Sequence, residues 1–231
     1  MLDTRNFDIP RFLAQLPLFS SLDPEHLDRL AGGCQMRRFA RGDMVLRVGD
    51  PCDAFHVVVV GQVKLFMLSP AGQEKVIELI PQGGSFAEAL MFLGKPCVVN
   101  AQALADSLLL SVQRAAVIEE IGRDDRFALR MLAGLSRRLH GLVRDVQAYA
   151  LQSGVQRVIG YLLRDQEPDE GCAGLVTVSL PVSKVTVASR LSLTPEYFSR
   201  VLRELELAAL IEVDGRDIRI PDVRRLATYQ A

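Results

Sequence analysis

Residues 124–153, DDRFALRMLAGLSRRLHGLVRDVQAYALQS, carry a heptad pattern around which the rest of the chain is organised. From Ala128 to Tyr149 the apolar residues recur at steps of 4, 3, 4, 3, 4 and 3, as in the a/d seam of a coiled coil. A seam this long exceeds what a short neighbouring helix covers, so we predict a helix that pairs with a second copy. A long core helix is the alternative, which Gly134 and Gly141 leave open because glycine is a poor helix former. The predicted dimer contacts are Leu132, Leu135, Leu139, Leu142 and Val146.

Length and composition are those of an ordinary globular protein. The 231 residues allow two modest domains, and the hydrophobic fraction is 49% with a net charge of -1. The sequence contains no apolar run long enough to cross a membrane and begins with no signal-peptide pattern, so we expect a cytoplasmic protein. The four cysteines are scattered and never form CxxC, which predicts reduced thiols and no iron–sulfur cluster.

The residues before the helix predict a β domain. Short β-branched or alternating runs, from Met44–Val48 to Lys75–Ile80, are separated by turns that contain glycine. Evenly spaced short strands of this kind are typical of an antiparallel roll or barrel. A short helical stretch at residues 85–93 interrupts the strands, which return over residues 98–112.

The residues after the helix predict a winged helix-turn-helix. One helix is expected from the N-cap Ser183 to about Leu191, and a second, capped by Thr194, from Pro195 to about Leu207. The Asp-Gly pair at residues 214–215 predicts a β-hairpin that follows these two helices in the sequence. We therefore expect an α+β fold: a β-roll sensor domain at 1–122, a dimerisation helix at 123–153 and a DNA-binding domain at 154–231, with a loop at 166–174.

The second of these helices has two distinct faces. An apolar stripe consists of Phe198, Val201, Leu202 and Leu205. Polar residues follow i, i+3, i+4 and i+7 spacing on the other face, namely Glu196, Ser199, Arg200 and Arg203. A recognition helix presents such a face to the major groove, where arginine bonds guanine, glutamate accepts from cytosine and serine contacts either kind of base. Ser183 and Lys184, at the start of the first helix, are expected to contact phosphates.

From residue 181 onward there are eight Lys and Arg against seven Asp and Glu. This balance disfavours nonspecific nucleic-acid binding but is compatible with site-specific reading by a few residues.

The order of these domains resembles the CRP/FNR superfamily of bacterial transcription regulators, over about residues 17–231. The most specific similarities are the glycine-punctuated strands, SFAEALMF at 85–92 and PEYFSR at 195–200. FNR-type members read TTGA half-sites with E-x-x-S-R, so the resemblance implies that role for Glu196, Ser199 and Arg200. It also implies a palindromic double-stranded DNA operator and RNA polymerase as a partner. FAEALMF, SPAGQEKVIEL and LSRRLH are similar to the Dnr type, the nitric-oxide-responsive regulators of denitrification.

The resemblance also bears on the effector. Members that bind cyclic nucleotides hold the ribose with Gly-Glu in the short helix and the phosphate with a following arginine. This chain has Ala87-Glu88, and Cys97-Val98-Val99 stands in the arginine's place, so we expect no cyclic nucleotide and a structural role for Glu88. The FNR-type oxygen sensor needs an N-terminal cysteine cluster, and no cysteine precedes Cys34.

The Dnr resemblance implies a haem that binds nitric oxide. The chain has three histidines, His26, His56 and His140, and His140 coincides with a Dnr-type histidine, which makes it the candidate iron ligand. Ala14 and Gln15 stand where the Dnr type has its N-terminal histidines.

Together these features predict a homodimeric transcriptional regulator of anaerobic or nitrogen-oxide metabolism. No Ser/His/Asp set, metal-spaced cluster or phosphate loop points to an enzyme. Two alternatives stay open. One is a β-roll module that binds an effector and regulates a partner protein, and the other is a CRP/FNR regulator that has no ligand and is controlled by its abundance.

Overall fold

The computed structural model describes residues 7–16, 19, 22–164 and 176–229, so the predicted loop at 166–174 lies outside the described residues. The chain divides into two compact units. The first comprises residues 1–68 and 77–141, and the second comprises residues 69–76 and 142–231. The division therefore falls within the long helix, and the second unit also includes the turn that joins two strands of the roll.

The first unit contains two four-stranded antiparallel sheets with short helices. Its elements are α1 (Ile9–Ala14), α2 (Pro24–Gly32), β1 (Cys34–Phe39), β2 (Met44–Leu46), β3 (Ala54–Val60), β4 (Val63–Leu68), β5 (Glu74–Ile80), β6 (Ser85–Phe86), α3 (Glu88–Leu93), β7 (Asn100–Ala103), β8 (Ser107–Gln113) and α4 (Arg114–Arg123). The sheet orders are β1-β8-β3-β6 and β2-β7-β4-β5, which is the predicted roll. The first three residues of β5, Glu74–Val76, fall in the second unit.

The first sheet is covered on both faces, which explains why its central strand is almost continuously apolar. Phe55, Val57 and Val59 of β3 pack in one core with the helices, whereas Val58 packs in another core with the second sheet. Alternate residues of a strand point to opposite faces, so this strand contributes to two cores at once.

The long helix α5 spans Asp125–Leu151, 27 residues, in agreement with the heptad pattern. At its N-terminal end, Asp124 Oδ1 accepts a hydrogen bond from the Arg126 amide, and Phe127 is fully buried in the first unit. Further along, the seam is uncovered in the single chain: Leu132 is 58% exposed, and Leu139 and Val146 are each 64% exposed. An apolar seam this exposed is typical of a surface that another helix covers.

The second unit is a winged helix-turn-helix. Its elements are α6 (Gly154–Leu162), β9 (Val176–Ser179), α7 (Lys184–Arg190), α8 (Pro195–Leu207), β10 (Glu212–Asp214), β11 (Asp217–Ile220) and α9 (Val223–Ala227). The wing sheet has the order β10-β11-β9. Gly215, with a φ of 60°, supplies the left-handed residue of the turn between β10 and β11. The α+β fold predicted from the sequence is confirmed.

Candidate DNA-binding surface and effector cavity

The recognition helix α8 begins and ends where the sequence predicts. Thr194 Oγ1 accepts a hydrogen bond from the Tyr197 amide at 3.2 Å, and Pro195 occupies the first helical turn, so the start of the helix is well defined. Its buried residues are Phe198, Val201, Leu202 and Leu205. These are the four residues of the predicted apolar stripe, and they anchor the helix in the core of the second unit.

The opposite face of α8 is open to solvent. Its exposed polar residues are Glu196, Ser199, Arg200 and Arg203. The Ser199 hydroxyl donates to the carbonyl oxygen of Pro195 at 2.9 Å, so its lone pairs remain to accept a hydrogen bond from a base. The Arg200 guanidinium lies over the Tyr197 ring, with 4.7 Å from Cζ to the ring centroid. This surface can offer an acidic acceptor, a hydroxyl and a bidentate donor to base edges.

The predicted phosphate contacts, Ser183 and Lys184, lie at the start of α7. Ser183 is the N-cap of α7, and its Oγ accepts from the Thr186 amide at 3.2 Å. The adjacent Lys184 is half-buried. Since the oxygens of Ser183 and Thr194 already cap helices, a phosphate there would be bound by backbone amides and by the lysine.

A buried arginine, which the sequence analysis did not identify, holds α7 in place. Arg190 is 7% exposed, and it forms an ion pair with Asp145 of α5 and donates to the Tyr149 hydroxyl. Within the same unit, Lys75 donates to the carbonyl oxygens of Ser189 (2.7 Å) and Arg190 (3.0 Å). Burial, together with the nearby charge of Arg190, lowers the pKa of Lys75 to about 8. These contacts satisfy carbonyls at the end of α7, directly before the turn into the recognition helix.

Glu88 of the first unit, which stands where cyclic-nucleotide-binding members have the ribose-binding carboxylate, is buried and paired. Arg138 of α5 donates to Glu88 (3.2 Å), to Glu78 (2.6 Å) and to the carbonyl oxygen of Ser85 (2.9 Å). A cavity of about 360 Å³ lies beside this network. Its lining residues are Glu78, Leu79, Ile80, Pro81, Gly84, Ser85, Glu88, Met131, Gly134, Leu135, Arg137 and Arg138. No sequence pattern near Glu88 indicated Arg138, because Arg138 lies 50 residues further along the chain.

Cys97 lies in the apolar core of the first unit. It is 2% exposed, and its thiol lies next to that of Cys52. Burial raises the pKa of Cys52 to about 12, so this thiol stays protonated. A thiol, unlike a guanidinium, carries no positive charge in either protonation state, so Cys97 cannot replace an arginine as the partner of a cyclic phosphate.

The three histidines have different surroundings. His56 is buried in β3, where its Nδ1 lies 2.9 Å from Ser111 Oγ and its ring packs on Phe86. His26 lies near the buried Glu120, 3.2 Å from Nδ1 to Oε1, and His140 is exposed on α5.

None of these histidines lines the 360 Å³ cavity, which is bordered by charged groups. Across the described part of the chain, no cluster of three or more His, Cys, Asp or Glu is arranged to hold a metal ion.

Two family models match separate parts of the chain. Residues 36–124 match the family model of the cyclic nucleotide-binding domain, and residues 156–229 match that of the Crp-like helix-turn-helix domain. A relative from Mycobacterium tuberculosis, a CRP-like cAMP-activated global transcriptional regulator, is 23% identical over 93% of this chain and 96% of its own length.

Two solved structures cover nearly the whole chain. DNR from Pseudomonas aeruginosa is 35% identical, with a TM-score of 0.52, over 100% of both chains. A putative cyclic nucleotide binding protein from Ruegeria pomeroyi is 30% identical, with a TM-score of 0.63, over 96% of this chain and 98% of that one.

A cyclic-nucleotide-type roll, a long helix and a Crp-like helix-turn-helix define a class of bacterial transcription regulators. The chain belongs to the CRP/FNR family and is a DNA-binding transcriptional regulator, not an enzyme. Among the described residues, no helix is both long and apolar enough to span a bilayer.

Proposed function

We propose that this protein binds, as a homodimer, a palindrome of TTGA-type half-sites and regulates genes of nitrogen-oxide or anaerobic metabolism. The observation that carries the proposal is the exposed face of α8, on which Glu196, Ser199 and Arg200 stand together opposite the buried stripe. The similarity to DNR supports the choice of target genes. Such a regulator acts in the cytoplasm, with RNA polymerase as its partner at the promoter.

The homodimer rests on the seam of α5. Leu132, Leu139 and Val146 expose apolar surface at heptad spacing, and burying it against a second copy is favourable. A two-fold dimer presents two recognition helices to half-sites one duplex turn apart. A change in packing along this seam would re-aim those helices, which gives a sensor event a route to the DNA.

For the effector, a specific observation argues against a cyclic nucleotide. Arg138 already satisfies the buried carboxylate of Glu88, so a ribose would have to displace an ion pair. We therefore expect no cyclic nucleotide in the 360 Å³ cavity. The Dnr resemblance implies haem with His140 as ligand, but His140 is exposed on α5, so we expect no saturable haem binding there. The DNA-binding proposal does not depend on haem.

The proposal is tested by selecting the preferred site of the purified protein from a pool of randomised duplexes. Enrichment of a TTGA palindrome is expected, and a gel shift with that duplex against a scrambled one measures the specificity. Recovery of an unrelated or asymmetric site would overturn the proposed operator. Failure to retain any duplex, together with capture of a defined protein partner, would favour the regulatory-module alternative.

A further inference from the structure

The guanidinium of Arg200 does not project freely from the recognition helix. Its Cζ lies 4.7 Å from the centroid of the Tyr197 ring, within the range of a cation–π contact. A free arginine side chain loses rotamer entropy when it binds a base, and a stacked one has already lost part of it. A guanidinium that stacks on a ring by its flat face keeps its N–H edge available for bidentate donation.

The ring of Tyr197 is itself seated on a glycine. A Cβ built on Gly154, the first residue of α6, would overlap Tyr197 Cε1 and would lie 2.9 Å from both Cζ and Oη. The ring therefore lies directly against the backbone of α6 at a position where any side chain would displace it. The Tyr197 amide is bound by the Thr194 cap, so the residue is held at its backbone as well as at its ring.

The first turn of α6 also holds the turn of the helix-turn-helix. Arg157 donates to the carbonyl oxygens of Leu191 (2.6 Å) and Ser192 (3.3 Å), which lie in the connection between α7 and α8. The same turn of α6 thus fixes the chain that enters the recognition helix and the ring that supports Arg200.

We propose that Tyr197 is a positioning residue for base recognition: its ring, seated on Gly154, holds the Arg200 guanidinium in the orientation that reads guanine. The inference rests on the proposed reading of bases by Arg200. It adds a requirement that the E-x-x-S-R pattern does not contain, namely an aromatic residue directly after the glutamate and a glycine at the start of α6.

The test measures base discrimination rather than affinity alone. The base pair that Arg200 reads is first located as the G·C pair at which Arg200→Ala lowers discrimination. The dimer is then titrated with its selected site and with the same site carrying A·T at that position. Tyr197→Leu is expected to lower the discrimination by about two- to fivefold, the size of an exposed cation–π contact. Tyr197→Phe keeps the ring and is expected to keep the wild-type discrimination. Gly154→Ala displaces the ring without altering Tyr197 and is expected to act like Tyr197→Leu.

A double-mutant cycle separates positioning from a general structural effect. In the Arg200→Ala background, Tyr197→Leu should leave discrimination at this base pair unchanged, because there is no guanidinium to position. An equal loss in both backgrounds would overturn the inference, as would unchanged or improved discrimination in Tyr197→Leu. If Tyr197→Leu does not fold, the same cycle with Gly154→Ala decides. The DNA site is selected before these measurements. Selection of a site other than TTGA would therefore overturn the proposed operator, but the double-mutant cycle could still be carried out on the selected site.

Discussion

Arg138 and Glu88 form an ion pair between α5 and the first residue of α3, with Arg138 Nη1 3.2 Å from Glu88 Oε2. The carboxylate is 9% exposed and the guanidinium 25%, so the pair is largely removed from water. Removing one partner of a buried pair leaves an uncompensated charge, which costs more than the pair itself contributes.

The variant Arg138→Gln should therefore unfold more readily than the wild type. We expect a loss of about 1–3 kcal/mol in the free energy of unfolding, measured by urea titration. The double variant Arg138→Gln/Glu88→Gln should recover part of that loss, because the more deeply buried of the two carboxylates that Arg138 contacts is then neutral. Arg137→Gln, an exposed neighbour, serves as the control, and equal stability of Arg138→Gln and this control would contradict the prediction.

The seam of α5 is tested by a charge at an exposed apolar position. Leu139→Glu should make the protein monomeric and abolish operator binding, because a carboxylate at an a/d position cannot be buried against its symmetry mate. Sedimentation and a gel shift measure the two effects. Gln147→Glu adds the same charge outside the heptad seam and should remain dimeric. A dimeric, DNA-binding Leu139→Glu variant would show that the interface lies elsewhere.

Base reading and phosphate binding should respond differently to salt. Arg200→Ala is expected to cost about 1–3 kcal/mol on the selected operator and to relax the preference at one base pair. Lys184→Ala should weaken binding about equally on all duplexes and reduce the slope of log K against log salt by about 1. Fluorescence anisotropy at several salt concentrations distinguishes them. Equal losses on operator and random DNA in Arg200→Ala would assign that residue to the DNA backbone.

His56 should make stability depend on pH. Burial, with the charge of Arg37, lowers its pKa to about 4 from an ordinary 6.5. The unfolded chain therefore takes up a proton before the folded one does, so stability is fully present above pH 6.5 and decreases as the pH falls toward 4. From pH 7.5 to pH 5 this group should remove about 2 kcal/mol.

Urea midpoints at the two pH values measure this effect. His56→Gln should show a smaller change between them than the wild type. His140→Gln, at an exposed position, should follow the wild type. An unchanged pH dependence in His56→Gln would mean that other groups cause it.

Haem titration of the reduced protein should give a weak, non-saturating spectrum. The reason is that His140 is exposed and no histidine lines the cavity of the first unit. Absorption spectra before and after nitric oxide, repeated with His140→Ala, measure this. A saturable band of one haem per subunit that shifts with nitric oxide and is lost in His140→Ala would contradict the expectation. It would mean that His140 binds haem in the assembled protein.

Some elements of the fold could be predicted from the sequence because they depend on patterns of neighbouring residues. The caps Ser183 and Thr194, the stripe on α8 and the heptad spacing of α5 all depend on neighbours within a few residues. Helix periodicity and capping are local, so they are visible before the chain folds. The polar face of α8 followed from the same periodicity, since a residue that is not on the buried stripe must lie on the other side.

Contacts between residues far apart in the chain were decided by packing. Arg138 approaches Glu88, Arg190 approaches Asp145, and Tyr197 rests on Gly154, although 50, 45 and 43 residues separate the members of these pairs. No local pattern marks a charged or aromatic residue for such a contact. Whether an arginine points into water or neutralises a buried carboxylate depends on how the helices pack, because burial makes an unpaired charge costly only once the surrounding core exists. Local periodicity therefore determined the helices and the recognition face. Tertiary packing determined which distant residues contact one another and hold those elements in position.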